Sequence, residues 1–162
     1  MQARRLVVCA LVGLVVGAPA LSAGSRRAVP ADTVVHLYHD FAWEAVIVDP
    51  TDNSDSLFYA PANVLRRYFD DVLVKLWLKD RNCGYAICRL DFTPIWNGQD
   101  PLNDSVQIKP SSDRQVVQVK VSYPNGDTEL TYSLSRTARG WRINDIRSPR
   151  WSLVEILSKP LE

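Results

Sequence analysis

Two histidines one helical turn apart have the most recognisable metal-binding spacing in this sequence. His36 and His39 would share a face of a helix, because residues three apart lie on adjacent turns. Asp40 and Glu44 follow at spacings that bring carboxylates to the same face, so spacing alone would allow these side chains to hold a metal ion. The simpler interpretation is a solvated helix face. The sequence therefore predicts no metal ion and no cofactor, with a histidine metal site as the alternative.

Two aspartates are the candidates for acid–base catalysis. Asp91 and Asp145 flank segments that read as strands, where a carboxylate facing an apolar pocket would have a pKa shifted by burial. Both histidines precede the strands, and the sequence contains no Gly-x-Ser-x-Gly motif and no glycine-rich phosphate loop. An enzyme, an isomerase or hydrolase that uses one of these aspartates, is therefore the alternative to a non-catalytic binding domain.

Three tryptophans and two polar residues are the candidates for binding a ligand or partner. Trp43 falls outside the apolar stripe of its helix, which predicts either a contact patch or packing under the loop that follows. Trp96, Gln99 and Asp100 lie in one turn-rich segment, although Asp100 also suits a structural turn. Trp96 and Trp141 are candidates to line a pocket or a protein-binding surface, with the core as the alternative.

The first 23 residues have the composition of a secretory signal peptide. A basic pair precedes an apolar run over 6–17, and the small residues over 18–23 offer a cleavage site. We favour cleavage after Ala23 over cleavage after Ala20. The apolar run is shorter than the roughly 20 residues that a membrane span requires, so export with cleavage is expected and no stable span is predicted afterwards.

Net charge excludes a chain whose main role is to hold a polyanion. Removal of the first 23 of the 162 residues would leave 139 and change the formal charge from +1 to −1, because two arginines are lost with the peptide. Neither value favours nucleic acid or an anionic membrane surface. The predicted partner is a protein or a small ligand in the periplasm or outside the cell.

Two cysteines remain after the signal peptide and are expected to pair. Cys83 and Cys88 form an even pair, which in an oxidising compartment predicts a disulfide across a short loop. So short a closure removes little chain entropy, and about 2 kcal/mol of stabilisation is expected. The alternative, a zinc site shared with the two histidines, would compete with disulfide formation outside the cytoplasm.

Hydrophobic periodicity divides the rest of the chain into helices followed by strands. After a polar leader over 24–31, a period of 3.6 predicts helices over about 32–48 and 61–78. The period then changes to two, which predicts five antiparallel strands, over 90–96, 105–109, 115–123, 128–136 and 141–147.

A short last helix completes the predicted fold. Ser152 and Glu155 have the spacing of a capping box, which is typical of a helix start. We therefore predict a single cone-like α+β domain over 32–162, with two N-terminal helices packed on a curved antiparallel sheet of about five strands.

Three parts of the chain carry a family resemblance: Tyr38 with Phe41 in the first helix, the run DFTPIWNGQD over 91–100 and the run GWRINDI over 140–146. Together they resemble an uncharacterised family of exported bacterial proteins in the nuclear transport factor 2-like, or cystatin-like, cone superfamily. The resemblance covers about 32–158 and implies a cone of helices cupped by a curved sheet, without an activity. The leading interpretation is an exported, non-catalytic binding domain.

Overall fold

The computed structural model describes residues 28–46, 55–84, 88–99, 103 and 105–160, so the predicted signal peptide and most of the predicted leader lie outside the described residues. Over the described part the chain is an α+β structure. N-terminal helices pack on a five-stranded antiparallel sheet, and a short helix follows the last strand. The predicted fold class is confirmed. No helix in the described part is long and apolar enough to cross a membrane.

The first helix, α1, spans Pro30–Phe41. Proline suits this first position because its missing N–H would have no partner within the helix. The Val29 amide donates to the Asp32 carboxylate at 2.9 Å and helps to close the first turn. The buried stripe of α1 has helical spacing and consists of Val34, Leu37, Tyr38 and Phe41.

The first helix ends earlier than predicted. A tighter 3-10 turn over Ala42–Ala45 follows α1 where the prediction continued the helix, and positions 47 and 48 of that prediction lie outside the described residues. Within this turn Glu44 accepts hydrogen bonds from the Leu57 amide at 2.6 Å and the Trp96 indole at 2.8 Å. These bonds join segments far apart in the chain, which the local hydrophobic period does not encode.

The predicted second helix is wrong as one continuous element, because two helices replace it: α2 (Ala62–Leu65) and α3 (Asp71–Arg81). The chain between them pairs with a strand. The Asp70 amide donates to the Ile143 carbonyl at 3.0 Å, and the Ile143 amide donates to the Tyr68 carbonyl at 2.8 Å. The Asp70 side chain then caps α3 and so fixes its start.

The strands follow one another in the sheet in chain order. They are β1 (Ser105–Pro110), β2 (Val116–Tyr123), β3 (Gly126–Thr137), β4 (Gly140–Ser148) and β5 (Trp151–Ser152). One face of the sheet packs against the helices and contributes to the core Val117, Val119, Val121, Leu130, Tyr132, Leu134, Ile143 and Ile146. The period of two found in the sequence therefore marks the buried face correctly.

The predicted strand over 90–96 is wrong, and β5 is the fifth strand instead. Residues 94–97 form turns closed by a single bridge between Thr93 and Gly98. A proline at position 94 has no amide to donate to a strand partner. Asn97 has a φ of 54°, in the left-handed region that strands do not use.

The last helix, α4, spans Leu153–Ser158 and starts where the sequence predicted. The Ser152 side chain accepts a hydrogen bond from the Glu155 amide at 3.2 Å. This is the bond that the capping-box spacing predicts for the start of a helix.

The predicted disulfide between Cys83 and Cys88 is confirmed, with the two Cα atoms 6.0 Å apart. Buried Asp80 lies near the end of α3 and holds the chain that follows the disulfide. Its carboxylate accepts hydrogen bonds from the Leu90 amide at 3.0 Å and the Arg89 guanidinium at 2.8 Å. The loop is thus attached to α3 at both of its ends.

Candidate ligand-binding site

An apolar groove lies between the N-terminal end of α1 and the neighbouring end of the sheet. We call it the Trp141 groove, after the tryptophan in its wall. Its volume is about 400 Å³. The residues that line it are Ala28, Val29, Pro30, Ala31, Pro110, Ser111, Asp113, Arg114, Val116, Val117, Arg136 and Trp141.

Trp141 reaches the groove because of the turn that begins β4. Gly140, with a φ of 97°, supplies the left-handed residue of this turn. Trp141 lies opposite Arg136 in the pairing of β3 with β4, and residues paired in this way point to the same face of a sheet. The indole donates to the Ala28 carbonyl at 3.2 Å and ties the segment before α1 to the sheet.

The opposite wall comes from the start of α1, and the floor comes from β2. Val29 keeps 48% of its surface exposed beside Pro30, whereas Val117 below is 1% exposed and belongs to the core. The groove is therefore a surface concavity supported by the packed core. Exposed apolar surface of this kind, gathered in a concavity, is typical of a ligand site.

Two arginines lie at the rim of the groove, and neither is ion-paired with a described residue. These are Arg114 and Arg136, and both are exposed. Asp113 is the one acid among the described residues of the lining, and its carboxylate accepts a hydrogen bond from the Gln115 amide at 2.8 Å. The rim therefore carries two positive charges against one negative charge.

A second, polar depression of about 430 Å³ contains the two histidines. We call it the Arg142 cleft. It lies between α1, the chain that links α2 to α3, and the first residues of β4. Its lining consists of Thr33, His36, His39, Asp40, Arg67, Tyr68 and Arg142.

Among the described residues that line the Arg142 cleft, Asp40 is the one acid, and its carboxylate already has several donors. The Tyr68 hydroxyl donates to it, as do the His39 ring at 3.1 Å and the Arg67 guanidinium at 3.3 Å. These contacts, the one from Tyr68 above all, hold the pKa of Asp40 below its ordinary value. Burial, together with the bond to Asp40, raises the pKa of Tyr68 to about 12.

Arg142 has no such charged partner. Its Nε donates to the Arg66 carbonyl at 2.9 Å and its Nη1 to the Trp141 carbonyl at 2.6 Å. Burial, with a smaller contribution from Arg139, lowers the pKa of the Arg142 guanidinium from its ordinary value. No carboxylate within the described part of the chain forms an ion pair with this half-buried cation.

The structure separates the predicted binding residues. Trp141 lines the groove, whereas Trp96 is 1% exposed and its ring belongs to the core. Gln99 is exposed and donates to the Asp91 carbonyl at 3.0 Å, and Trp43 is half-buried in the 3-10 turn. Asp100 lies outside the described residues. That these residues bind a ligand stays a prediction.

The two aspartates predicted as catalytic candidates lie apart from both depressions. Asp91 is exposed. Buried Asp145 accepts hydrogen bonds from the Ser152 hydroxyl at 2.9 Å, the Val154 amide at 3.1 Å and the Arg147 guanidinium at 2.6 Å. Its contacts fasten the start of α4 to β4. A catalytic role for either aspartate stays a prediction.

The metal-binding alternative required the Asp40 and Glu44 carboxylates to lie on the same helix face as His36 and His39. Glu44 instead bonds to Leu57 and Trp96, away from the histidines. Within the described ranges, His, Cys, Asp and Glu side chains form no group of three or more that could hold a metal ion.

Sequence reasoning missed most of the charged residues of both depressions. It identified His36 and His39 by their spacing, but Arg67 and Arg142 belong to segments far from them in the chain. Arg114 lies in a turn and Arg136 near a strand end, where an arginine is ordinary. The sequence around an arginine does not show whether the fold will bring an acidic side chain to it.

Comparison with known proteins identifies no family for this chain. No family model matches it, and neither does any curated protein. Among solved structures, the chain is similar to a phospholipid-binding protein from Ralstonia solanacearum, determined in complex with a phospholipid. The identity is 16%, over 80% of this chain and 83% of that one, with a TM-score of 0.48. The resemblance to the nuclear transport factor 2-like superfamily stays a prediction.

Proposed function

We propose that this chain binds a small amphipathic ligand, an apolar molecule with one anionic group, in the Trp141 groove. The observation that supports the proposal is the combination of an apolar concavity with two rim arginines that form no ion pair with a described residue. Small-molecule sites have volumes of roughly 300–1,000 Å³ and apolar walls with few polar groups. The groove, at about 400 Å³, falls within that range.

The apolar part of the ligand would contact the indole of Trp141 and the side chains of Val29 and Pro30. Transfer of apolar surface from water into such a groove is favourable, by about 25 cal/mol for each Å² buried. The hydrogen bond from Trp141 to Ala28 holds the two walls in place before the ligand arrives. A wall ordered in advance loses less conformational entropy on binding.

The anionic group would lie at the rim, beside Arg114 and Arg136. Arginine forms charge-assisted hydrogen bonds to carboxylates and phosphates, frequently in pairs. Both arginines are exposed, so each bond would contribute modestly to affinity and mainly select anionic over neutral amphiphiles. Asp113 would disfavour ligands with a second negative charge.

The side chains in the lining favour binding over catalysis. The described residues of the groove include Asp113 and two arginines but no histidine, cysteine or glutamate. General acid–base chemistry requires a proton donor or acceptor placed at the ligand, with a pKa suited to the task. Asp91 and Asp145, the candidates for an enzyme, are not part of this lining.

We further propose that the chain acts after export. The disulfide between Cys83 and Cys88 supports this, because disulfides persist in oxidising compartments and are rare in the cytosol. The signal-peptide pattern over 1–23 is the second support.

A matched pair of variants tests the site. Val29 and Val35 are both exposed valines of the α1 region, at 48% and 45%, but only Val29 lines the groove. Val29→Asp places a carboxylate in the groove at the helix N-cap, where aspartate is favourable for folding. Dodecanoate and dodecanol serve as probes in calorimetry and in NMR of the tryptophan indoles.

We expect saturable dodecanoate binding that perturbs the Trp141 indole, is lost in Val29→Asp and persists in Val35→Asp. The double variant Arg114→Gln, Arg136→Gln should weaken dodecanoate binding by about three- to tenfold and leave dodecanol unchanged. Binding that survives Val29→Asp, or no saturable binding by the wild-type chain, would overturn the proposal.

A further inference from the structure

The Arg142 cleft contains a positively charged guanidinium, that of Arg142, which is not part of the proposed amphiphile site. Arg142 is half-buried, and its two hydrogen bonds end on the carbonyls of Arg66 and Trp141. A carbonyl oxygen satisfies an N–H donor but carries no full negative charge. Because guanidinium has five N–H groups, three of them remain without a partner among the described residues.

The acid in the same cleft does not neutralise this cation. Asp40 accepts from the Tyr68 hydroxyl and pairs with Arg67 at 3.3 Å and His39 at 3.1 Å. Its charge is thus matched by Arg67 and by the hydrogen bonds from Tyr68 and His39, and it forms no ion pair with Arg142. The positive charge of Arg142 is left uncompensated in a partly desolvated place, which is unfavourable without an anion.

Two further groups on α1 face the same depression. Thr33 donates at 3.2 Å to the Trp141 carbonyl, the same carbonyl that accepts from Arg142, and its hydroxyl oxygen can still accept a hydrogen bond. His36 lies one turn further along α1 and has no hydrogen bond to another described residue. A neutral imidazole always has one N–H to donate, so His36 can supply a donor to an anion there.

We propose that the Arg142 cleft is a second binding site, separate from the Trp141 groove, and that it takes an oxyanion: a phosphate or carboxylate group. Arg142 supplies the charge and the paired donors, and His36 supplies a further donor. Arginine is well suited to this role, because its planar fork matches the oxygens of both groups. The two depressions have no described lining residue in common, although Trp141 and Arg142 are consecutive.

Titration of the full chain with inorganic phosphate and with acetate tests the site, with the arginine side-chain and histidine ring signals followed by NMR. We expect saturable shifts at Arg142 and His36. Arg142→Gln should weaken phosphate binding by about tenfold or more, as expected for loss of a charge-assisted pair. Arg150→Gln is the matched control, since Arg150 is an exposed arginine outside both depressions and should change nothing.

A second variant guards against a folding defect in Arg142→Gln. His36 is exposed, so His36→Ala should fold normally and weaken phosphate binding severalfold. The tighter of phosphate and acetate shows which of the two anionic groups the cleft prefers. Shifts that never saturate, or that are equal in Arg142→Gln and Arg150→Gln, would indicate an adventitious ion only and overturn the proposal.

A separate experiment tests whether the two sites bind their ligands independently. Val29→Asp, which blocks the Trp141 groove, should leave phosphate affinity at the Arg142 cleft unchanged. If dodecanoate displaces phosphate in the wild-type chain, the two depressions hold one ligand and the separate site is wrong. If dodecanoate fails to bind while phosphate still does, the amphiphile proposal fails and the oxyanion site stands.

Discussion

Trp96 and Trp141 are the same residue type, both predicted as binding residues, yet their surroundings differ. Trp96 is 1% exposed, packs edge-on against Tyr38 with ring centres 5.3 Å apart, and donates to Glu44. Trp141 lies in the wall of a groove whose two rim arginines form no ion pair with a described residue. A region whose polar groups all find partners serves the fold, whereas a region with unmatched charge beside apolar surface is suited to a ligand.

The turn that carries Trp96 shows how fully such a region can be satisfied. The Asn97 side chain donates to the Thr128 hydroxyl at 2.8 Å and accepts from the Trp151 indole at 2.8 Å. The Tyr38 hydroxyl donates to the Ile95 carbonyl at 2.7 Å. These bonds hold the turn over 93–98 against α1 and the sheet, and each of these polar groups has a partner within the described part of the chain.

The largest effect should separate the two tryptophans. Trp96→Ala removes a fully buried ring and leaves the Glu44 carboxylate without its indole donor, so a loss of about 3–5 kcal/mol in unfolding free energy is expected. Trp141→Ala should cost clearly less, because its ring is half-buried. Urea denaturation of both variants measures the difference. Equal losses of unfolding free energy would contradict the assignment of Trp96 to the fold and Trp141 to binding.

A smaller effect is expected at Asn97, where backbone strain and side-chain bonds can be separated. Asn97→Ala loses both side-chain bonds and keeps a side chain at a φ of 54°, for a predicted loss of about 2 kcal/mol. Asn97→Gly loses the same bonds without the strain, so it should be the more stable of the two by about 1 kcal/mol. Thermal unfolding compares them. The reverse order would mean that the turn does not depend on the left-handed conformation.

The turn and the groove also show what the sequence reveals. The alternation of apolar and polar residues over β2 and β3 predicts these strands, because each strand buries one face. Tyr68 and Phe69, in the link between α2 and α3, continue the apolar helical spacing, yet Phe69 pairs with Ile143 on β4 and breaks the helix. Arg142 joins His36 only through that same tertiary arrangement. Hydrophobic periodicity indicates which residues of a single segment are buried. Both depressions are lined by residues from several segments, so periodicity does not predict them.

The smallest predicted effect concerns the pH dependence of the structural region. Burial raises the pKa of Glu44 above its ordinary value of 4.5, although hydrogen bonds from Leu57 and Trp96 act in the opposite direction. The folded state therefore holds this proton more tightly than the unfolded state does. The contribution of Glu44 to the free energy of unfolding should fall as the pH rises from 4.5 to its raised folded pKa, and stay constant above that.

The variant Glu44→Gln, which does not titrate, isolates this contribution. The difference in unfolding free energy between wild type and Glu44→Gln should change only within that pH window. Trp96→Phe removes one hydrogen bond to the carboxylate, so it should raise the folded pKa of Glu44 further and extend the fall to higher pH. Trp141→Phe should leave the pH profile unchanged, because Trp141 does not contact Glu44; a shift in its profile would show that the two regions are coupled.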